Sequence, residues 1–292
     1  MRSALFLALA LAAILPTAPA LAQAQIANAA PSAFLNITPK RLTLDRSRRN
    51  GTIYLLNQGS ASVTVDLVVS DRVMLPDGQI FAAEDAAKRD DGKGPATELK
   101  SAKALLQISP RRVTLQPGRP QTVRVRLSGL PEGAAAEYRS HLTVTTIPPR
   151  DAGTTPESAA APGGSNQLSF QIVAVYGLSI PLIVRPADAD VRAAIEKPRL
   201  EPGGPGKPPV VTFDLVRLGA SSAFGNFEIR TVGERRGAEP LGVIRGVAVY
   251  PEIGRRSVRV LLSRAPAPGE KLEVIFTDDD TSPGKVLAKA AL

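Results

Sequence analysis

From about residue 34 onward, apolar and polar residues alternate in short runs separated by Gly, Pro, Asn and Asp. That period of two is the signature of half-buried strands. Phe34-Leu35-Asn36-Ile37 is followed by Pro39 and then by Leu42-Thr43-Leu44. Residues 51–56 form a second run, turned by Asn57-Gln58-Gly59, and residues 62–69 a third. Val113-Thr114-Leu115 precedes residues 121–127, where Val and Arg alternate as a strand with one buried and one wet face requires. Residues 141–147 end at Pro148-Pro149. After Arg185-Pro186-Ala187 comes a second block of runs at 210–218, 226–232, 243–250, 257–262 and 271–276. Helical periodicity is almost absent, with residues 82–89 the best short candidate. Residues 150–166, rich in Ala, Gly, Pro, Ser and Thr, have nothing to bury and predict a loop. The chain is therefore expected to be all-β, as two tandem β-sandwich domains over 23–186 and 187–292, each near the roughly 100 residues of an immunoglobulin-like fold plus loops.

One run departs from this pattern. Residues 167–185 are apolar at every even position from Leu168 to Leu182, namely Phe170, Ile172, Ala174, Tyr176, Leu178 and Ile180 between them. Odd positions carry Ser169 and Gln171, but also Val173 and Val175. No charge interrupts the run between Leu168 and Val184. A central strand buried on both faces has this composition. So does an edge strand kept apolar to pair with another protein, because ordinary edges are blunted by charge, Pro or bulges.

The N-terminus is of a different kind. Met1-Arg2 supplies a positive charge, residues 4–15 are small or apolar, and Ala20-Leu21-Ala22 has the small-x-small form of a cleavage site. This reads as a secretory signal peptide over 1–22, too short for a membrane span, and no membrane insertion is expected. Removing it takes away Arg2 and reduces the formal charge from +9 to +8. The sequence has no cysteine, so an exported chain would fold without disulfides and depend on its hydrophobic cores.

Composition mainly subtracts chemistries. With no Cys and a single histidine, His141, zinc sites of the Cys/His type and thiol catalysis lack their groups. His141 lies inside an expected strand with no base–nucleophile spacing around it. Asp278-Asp279-Asp280 and Asp90-Asp91-Gly92 lack the spaced ligand loop that calcium needs. The pairs Arg48-Arg49, Arg111-Arg112, Arg235-Arg236 and Arg255-Arg256 are scattered and lack aromatic stacking platforms, so nucleic acid is not an expected partner. No catalytic residue, metal or cofactor is expected.

Residues Leu105-Leu106-Gln107-Ile108-Ser109-Pro110-Arg111-Arg112-Val113-Thr114-Leu115-Gln116-Pro117-Gly118, followed by Gln121-Thr122-Val123-Arg124-Val125, carry a resemblance. They resemble the central signature of periplasmic pilus chaperones, the PapD-like partners of outer-membrane ushers. Leu130-Pro131-Glu132, Glu137 through Ile147-Pro148-Pro149, Ile180-Pro181-Leu182-Ile183-Val184-Arg185-Pro186 and Gly246-Val247-Ala248-Val249-Tyr250-Pro251 are similar to later stretches of that family, in the same order. The resemblance implies two immunoglobulin-like domains set at an angle, a periplasmic location, and pilin-like subunits and an outer-membrane usher as partners. It implies that the first domain lends its last strand to an incomplete subunit, with Phe170, Ile172, Ala174 and Tyr176 as the donor side chains. It implies that Arg41 anchors the subunit's C-terminal carboxylate in the cleft. The family's second anchor, a lysine, falls on Pro181 here, which leaves Lys40 or Arg139 as substitutes. It also implies an ion-pair cluster between the domains, made of Glu137, Arg185 and one acid of Asp278-Asp279-Asp280, with Asp278 or Asp279 favoured. The alternative from another class is an exported adhesion or surface β-sandwich that binds glycan or protein directly.

Overall fold

The computed structural model describes residues 35–148, 175–204, 206–233 and 238–292. The expected leader, residues 150–166, and donor positions Phe170, Ile172 and Ala174 lie outside the described residues. The first strands are β1 (Leu35–Thr38), β2 (Leu42–Asp45), β3 (Asn50–Asn57) and β4 (Val63–Ser70). A short excursion then carries β5 (Arg72–Met74), β6 (Ile80–Ala82), and the helices α1 (Ala83–Ala86) and α2 (Lys93–Glu98). β7 (Leu106–Ser109), β8 (Arg112–Leu115), β9 (Gln121–Leu127), β10 (Tyr138–Ile147) and β11 (Gly177–Arg185) complete the first block. The second holds β12 (Ala193–Glu201), β13 (Val210–Arg217), β14 (Ala223–Thr231), β15 (Gly242–Val249), β16 (Arg255–Leu261), β17 (Leu272–Asp278) and β18 (Val286–Ala291).

The fold is all-β, two tandem sandwiches. In the first, a four-stranded sheet β1-β3-β9-β7 faces a five-stranded sheet β2-β11-β10-β4-β8. Their inward alternate residues, among them Ile53, Leu55, Val65, Leu67, Val123, Val125, Leu142 and Leu182, build one core. The chain crosses between the two sheets repeatedly, and at two of these crossings, β1 to β2 and β7 to β8, the connection carries a proline in a cis peptide, Pro39 and Pro110. The second sandwich packs β12-β13-β16 on β15-β14-β17-β18 around Phe213, Phe227 and Phe276, with Phe227 stacked on Phe276 at 4.3 Å between ring centroids.

Met74 and Ile183 belong to the first block but are buried in the second core, so the two sandwiches share apolar contacts, and the described residues fall within one compact unit. The β5–β6 hairpin is the wedge. Its turn lies on β16, where Ser257 donates its N–H to the Pro76 carbonyl at 2.8 Å. At the tip, Gly78 has φ +88° and sits against the Arg256 guanidinium, where a Cβ would fall 2.3 Å from Nε. Only glycine combines that backbone conformation with that approach.

Several elements differ from the sequence expectation. The helical run shortens to α1, and α2, β5, β6, β7, β12 and β18 are additional. β12 was hidden because Glu196-Lys197-Pro198 breaks its alternation; the structure absorbs them in a bulge between Glu196 and Arg199, with Lys197 at φ +51°. The run expected from 167 is a described strand only from Gly177.

Candidate functional site: an open strand edge beside a cationic cleft

β11 holds two positions in its sheet. From Gly177 to Val184 it pairs antiparallel with β10, Thr145 lying opposite Gly177 and Tyr138 opposite Val184. On its other side β2 pairs in parallel, but only from Leu182 opposite Leu42 to Arg185 opposite Asp45. The half from Gly177 to Pro181 therefore has no neighbour on that side among the described residues. Thr146 donates its N–H to the Tyr176 carbonyl at 2.9 Å, so even residues bond to β10 and the amides of Gly177 and Ser179 point to the open side. Pro181, at the end of the open stretch, has no N–H to offer. On the inner face Leu178, Ile180, Leu182 and Val184 follow one another into the first core. Tyr176 is next in that row and is 44% exposed, with Val175 57% exposed.

The two-faced apolar character of this run has a local cause at its C-terminal end. Ile183 points away from the first core and is wholly buried in the second.

Extending the parallel register by one residue places Arg41 beside Pro181, so the open edge starts where β2 begins. Arg41 lines a cleft of about 1120 Å³ that also carries Lys40, Arg46, Arg48, Arg185, Phe224, Arg245, Asp279 and Asp280. The cations around it are in different states. Arg41 is held from the second sandwich: its Nη2 donates to Asp280 Oδ2 and Ser222 Oγ, each at 3.0 Å. Its guanidinium lies over the Phe224 ring at 4.8 Å, and the side chain is only 9% exposed. Nε and Nη1 are buried there without hydrogen-bond partners. Lys40 reaches back to Asn36 Oδ1 at 2.7 Å, and Arg46 Nε donates to the Pro186 carbonyl at 2.6 Å. Arg245 is exposed and has no ion-pair partner within the described residues.

At the floor of the cleft, Arg185 Nε donates to Glu137 Oε2 at 2.8 Å and its Nη2 pairs with Asp280 Oδ2 at 2.8 Å. Ser222 completes the cluster, giving its N–H to Glu137 Oε2 at 3.2 Å and receiving Arg185 Nη2 on Oγ at 3.1 Å. Burial by itself would lower the Arg185 pKa, but the charges of Glu137 and Asp280 outweigh it and raise it.

The acid in this cluster is Asp280, not Asp278 or Asp279. Alternation along β17 turns Leu272, Val274, Phe276 and Asp278 inward. Asp278 then closes its own turn, accepting from the Asp280 and Ser282 amides at 3.1 and 2.6 Å and the Thr281 hydroxyl at 2.7 Å. Asp279 faces solvent, and Asp280 is the first carboxylate free to swing back towards Arg41 and Arg185.

Arg139 is not available to the cleft. It is buried in a second junction between the sandwiches, ion-paired with Glu252 and donating from Nη2 to the Arg72 carbonyl at 2.8 Å. Its guanidinium lies 4.0 Å from the centroid of the Tyr250 ring. Glu252 also accepts the Met74 amide at 3.1 Å. His141 Nδ1 lies 3.2 Å from Arg139 Nη1, and burial first, then the charges of Arg139 and Arg72, push its pKa down to about 2. The imidazole is thus neutral and acts as an acceptor.

Sequence reasoning missed Glu252, Ser222 and Arg245. Glu252 follows Tyr250-Pro251, already singled out, and is an acid beside an otherwise apolar run; that was the available signal. Ser222 and Arg245 carry none.

No family model and no curated protein matches the chain. Among solved structures, the YadV chaperone aligns over 88% of this chain and 99% of its own, with 11% identity and a TM-score of 0.45. The E. coli chaperone DraB aligns over 89% and 96%, with 14% identity and a TM-score of 0.44. The CsuC–CsuE chaperone–tip adhesion subunit complex of Acinetobacter baumannii aligns over 89% and 97%, with 14% identity and a TM-score of 0.42. Likeness at this level says nothing about activity, which rests on the residues themselves. Among the described residues no group of three or more acidic or histidine side chains is placed to hold a metal, and no helix is long and apolar enough to cross a membrane.

Proposed function

We propose that the chain is a periplasmic assembly chaperone of the PapD-like type, exported by its leader, which stabilises pilin-like subunits by lending them a strand and passes them to an outer-membrane usher. The observation that carries this reading is the open edge of β11. The outward amides of Gly177 and Ser179 offer a ladder to an added strand. The row Phe170, Ile172, Ala174 and Tyr176 continues, in sequence, the inward row Leu178–Ile180–Leu182. An incomplete subunit core would bury these side chains, each worth about 1.5–3 kcal/mol before entropic costs for the large ones.

A partner strand laid on this edge continues the line of β2 and ends at Arg41. If it runs parallel to β11, its C-terminal carboxylate arrives in the cleft. Arg41 orients that group together with Arg245 and Lys40, two of the cations that line the cleft without an ion-paired acid. Arg41 has two donor nitrogens unpaired, but both are buried, so a carboxylate reaches them only if the side chains that cover them move aside. Arg245 takes the part for which the family uses a lysine at the position of Pro181.

The test is co-expression with a pilin-like subunit that lacks a strand. The wild-type chain is expected to yield a 1:1 complex and keep the subunit soluble. Ile172→Asp combined with Tyr176→Asp is expected to abolish the complex while leaving the thermal unfolding of the free chain unchanged. A complex that survives the double substitution contradicts the strand-lending assignment.

A further inference from the structure

Three outer-face arginines on the strands of this molecule meet an acid on another strand of their sheet. Arg112 on β8 pairs with Asp66 on β4, Arg255 on β16 with Glu196 and Asp214, and Arg259 with Glu201. Such cross-strand pairs are the ordinary way to settle charge on a wet sheet face. The outer face of the β1-β3-β9-β7 sheet is built otherwise. Arg124 and Arg126 stand on the central strand β9, and neither has an acidic partner among the described residues. Arg126 lies between Asn50 and Gln107, and Arg124 between Thr52 and Ser109. All four neighbours are neutral hydrogen-bonding side chains. These residues, with Arg111, Gly51, Ile108 and Val125, line a groove of about 710 Å³ that contains no carboxylate.

We propose that this face is a docking surface for an acidic, extended protein segment that presents carboxylates at alternate residues to Arg124 and Arg126. The spacing argues for the occupant. Two residues along a strand advance about 6.8 Å, and acidic side chains at positions i and i+2 of an extended partner repeat at the same distance. Each guanidinium then receives one carboxylate, a charge-assisted and potentially bidentate contact. The flanking amides and hydroxyls serve the partner backbone. Arg111, at the edge next to β7, meets a third acid or the segment's end. The groove holds no aromatic platform on which bases would stack, and its apolar residues, Ile108 and Val125, are turned inward, so it has no side chain to insert into a lipid layer.

The experiment titrates the full chain with three ten-residue peptides: one alternating Asp with Thr, one of the same composition with its Asp residues grouped, and one with Asn in place of Asp. Vesicles of anionic phospholipid form a further arm. The alternating peptide is expected to bind at least tenfold more tightly than the grouped peptide, and the Asn peptide not at all. The combined Arg124→Gln and Arg126→Gln substitution, which keeps both positions polar, should weaken the alternating peptide tenfold or more. Arg199→Gln, the same charge change at an exposed strand position on the other sandwich, should leave it within twofold. Equal binding of the alternating and grouped peptides overturns the proposal. So does equal loss in the Arg199 variant, or vesicle binding that the two arginines control while the peptides do not bind.

Discussion

Two buried ionic clusters join the sandwiches, and they are built on opposite principles. The one under the cleft is shared: Asp280 serves both Arg41 and Arg185, Glu137 serves Arg185 and the Ser222 amide, and Arg41 keeps two nitrogens unpaired. The one beside the β5–β6 hairpin centres on a single pair. There Arg139 meets Glu252, with the Arg72 carbonyl, the Met74 amide, the Tyr250 ring and a neutral His141 around it. The second cluster is nearly closed, with side chains 2% and 1% exposed, whereas Arg41 and Asp280 in the first keep 9% and 14%. Buried pairs fix geometry more than they add net stability, and breaking one is costly because it strands a charge. The difference between the two clusters teaches where the molecule is fixed and where it can receive. The closed pair fixes the junction, and the shared cluster borders the cleft, where under the proposed function an arriving carboxylate would compete with Asp280.

This contrast can be broken at four strengths. Glu252→Ala leaves Arg139 buried without its acid and should cost about 3–5 kcal/mol in urea unfolding. Asp280→Asn removes one acid from a cluster that retains Glu137, so a smaller loss of about 1.5–3 kcal/mol is expected, with Arg41 becoming more available to an anion. The His141 comparison is a pH titration. The folded pKa is about 2 against an ordinary value of 6.5, so below pH 6.5 the unfolded chain binds a proton that the folded chain refuses. The His141 contribution is fully present above that pH and falls by at most about 1.4 kcal/mol per pH unit on acidification. The difference in unfolding free energy between wild type and His141→Gln should show that slope; a pH-independent difference would mean the histidine is not buried in neutral form. Smallest of all, Asp279→Asn should change stability by less than about 0.5 kcal/mol, because Asp279 faces solvent. If Asp279→Asn costs as much as Asp280→Asn, the assignment of the shared acid is wrong.

How far the sequence showed all this depends on the scale of the signal. Alternation was enough for the strands with a clean inside and outside, such as β9 and β13, because burial on one face is written directly in the residues. It failed at β12, where a proline and a bulge interrupt the period, and at β5–β6, whose three-residue strands are too short to carry one. Glu137 and Arg185 could be paired from their place in the ordered blocks. Choosing among three consecutive aspartates could not be done, because the choice depends on which residue ends the strand and which begins the turn. Arg139 was misjudged as a cleft residue for a related reason. A sequence shows that β10 has an arginine as its second residue, but not that the second sandwich covers that face and supplies Glu252.

The central claim is that the open edge of β11 receives a strand, and amide hydrogen exchange at Gly177 and Ser179 tests it most directly. In the free chain these two amides point away from β10 and should exchange quickly, while the amides of Leu178 and Ile180, bonded to β10, exchange slowly. On binding a pilin-like subunit, Gly177 and Ser179 should become protected to the level of their neighbours. A stable complex in which both continue to exchange as in the free chain would contradict the account.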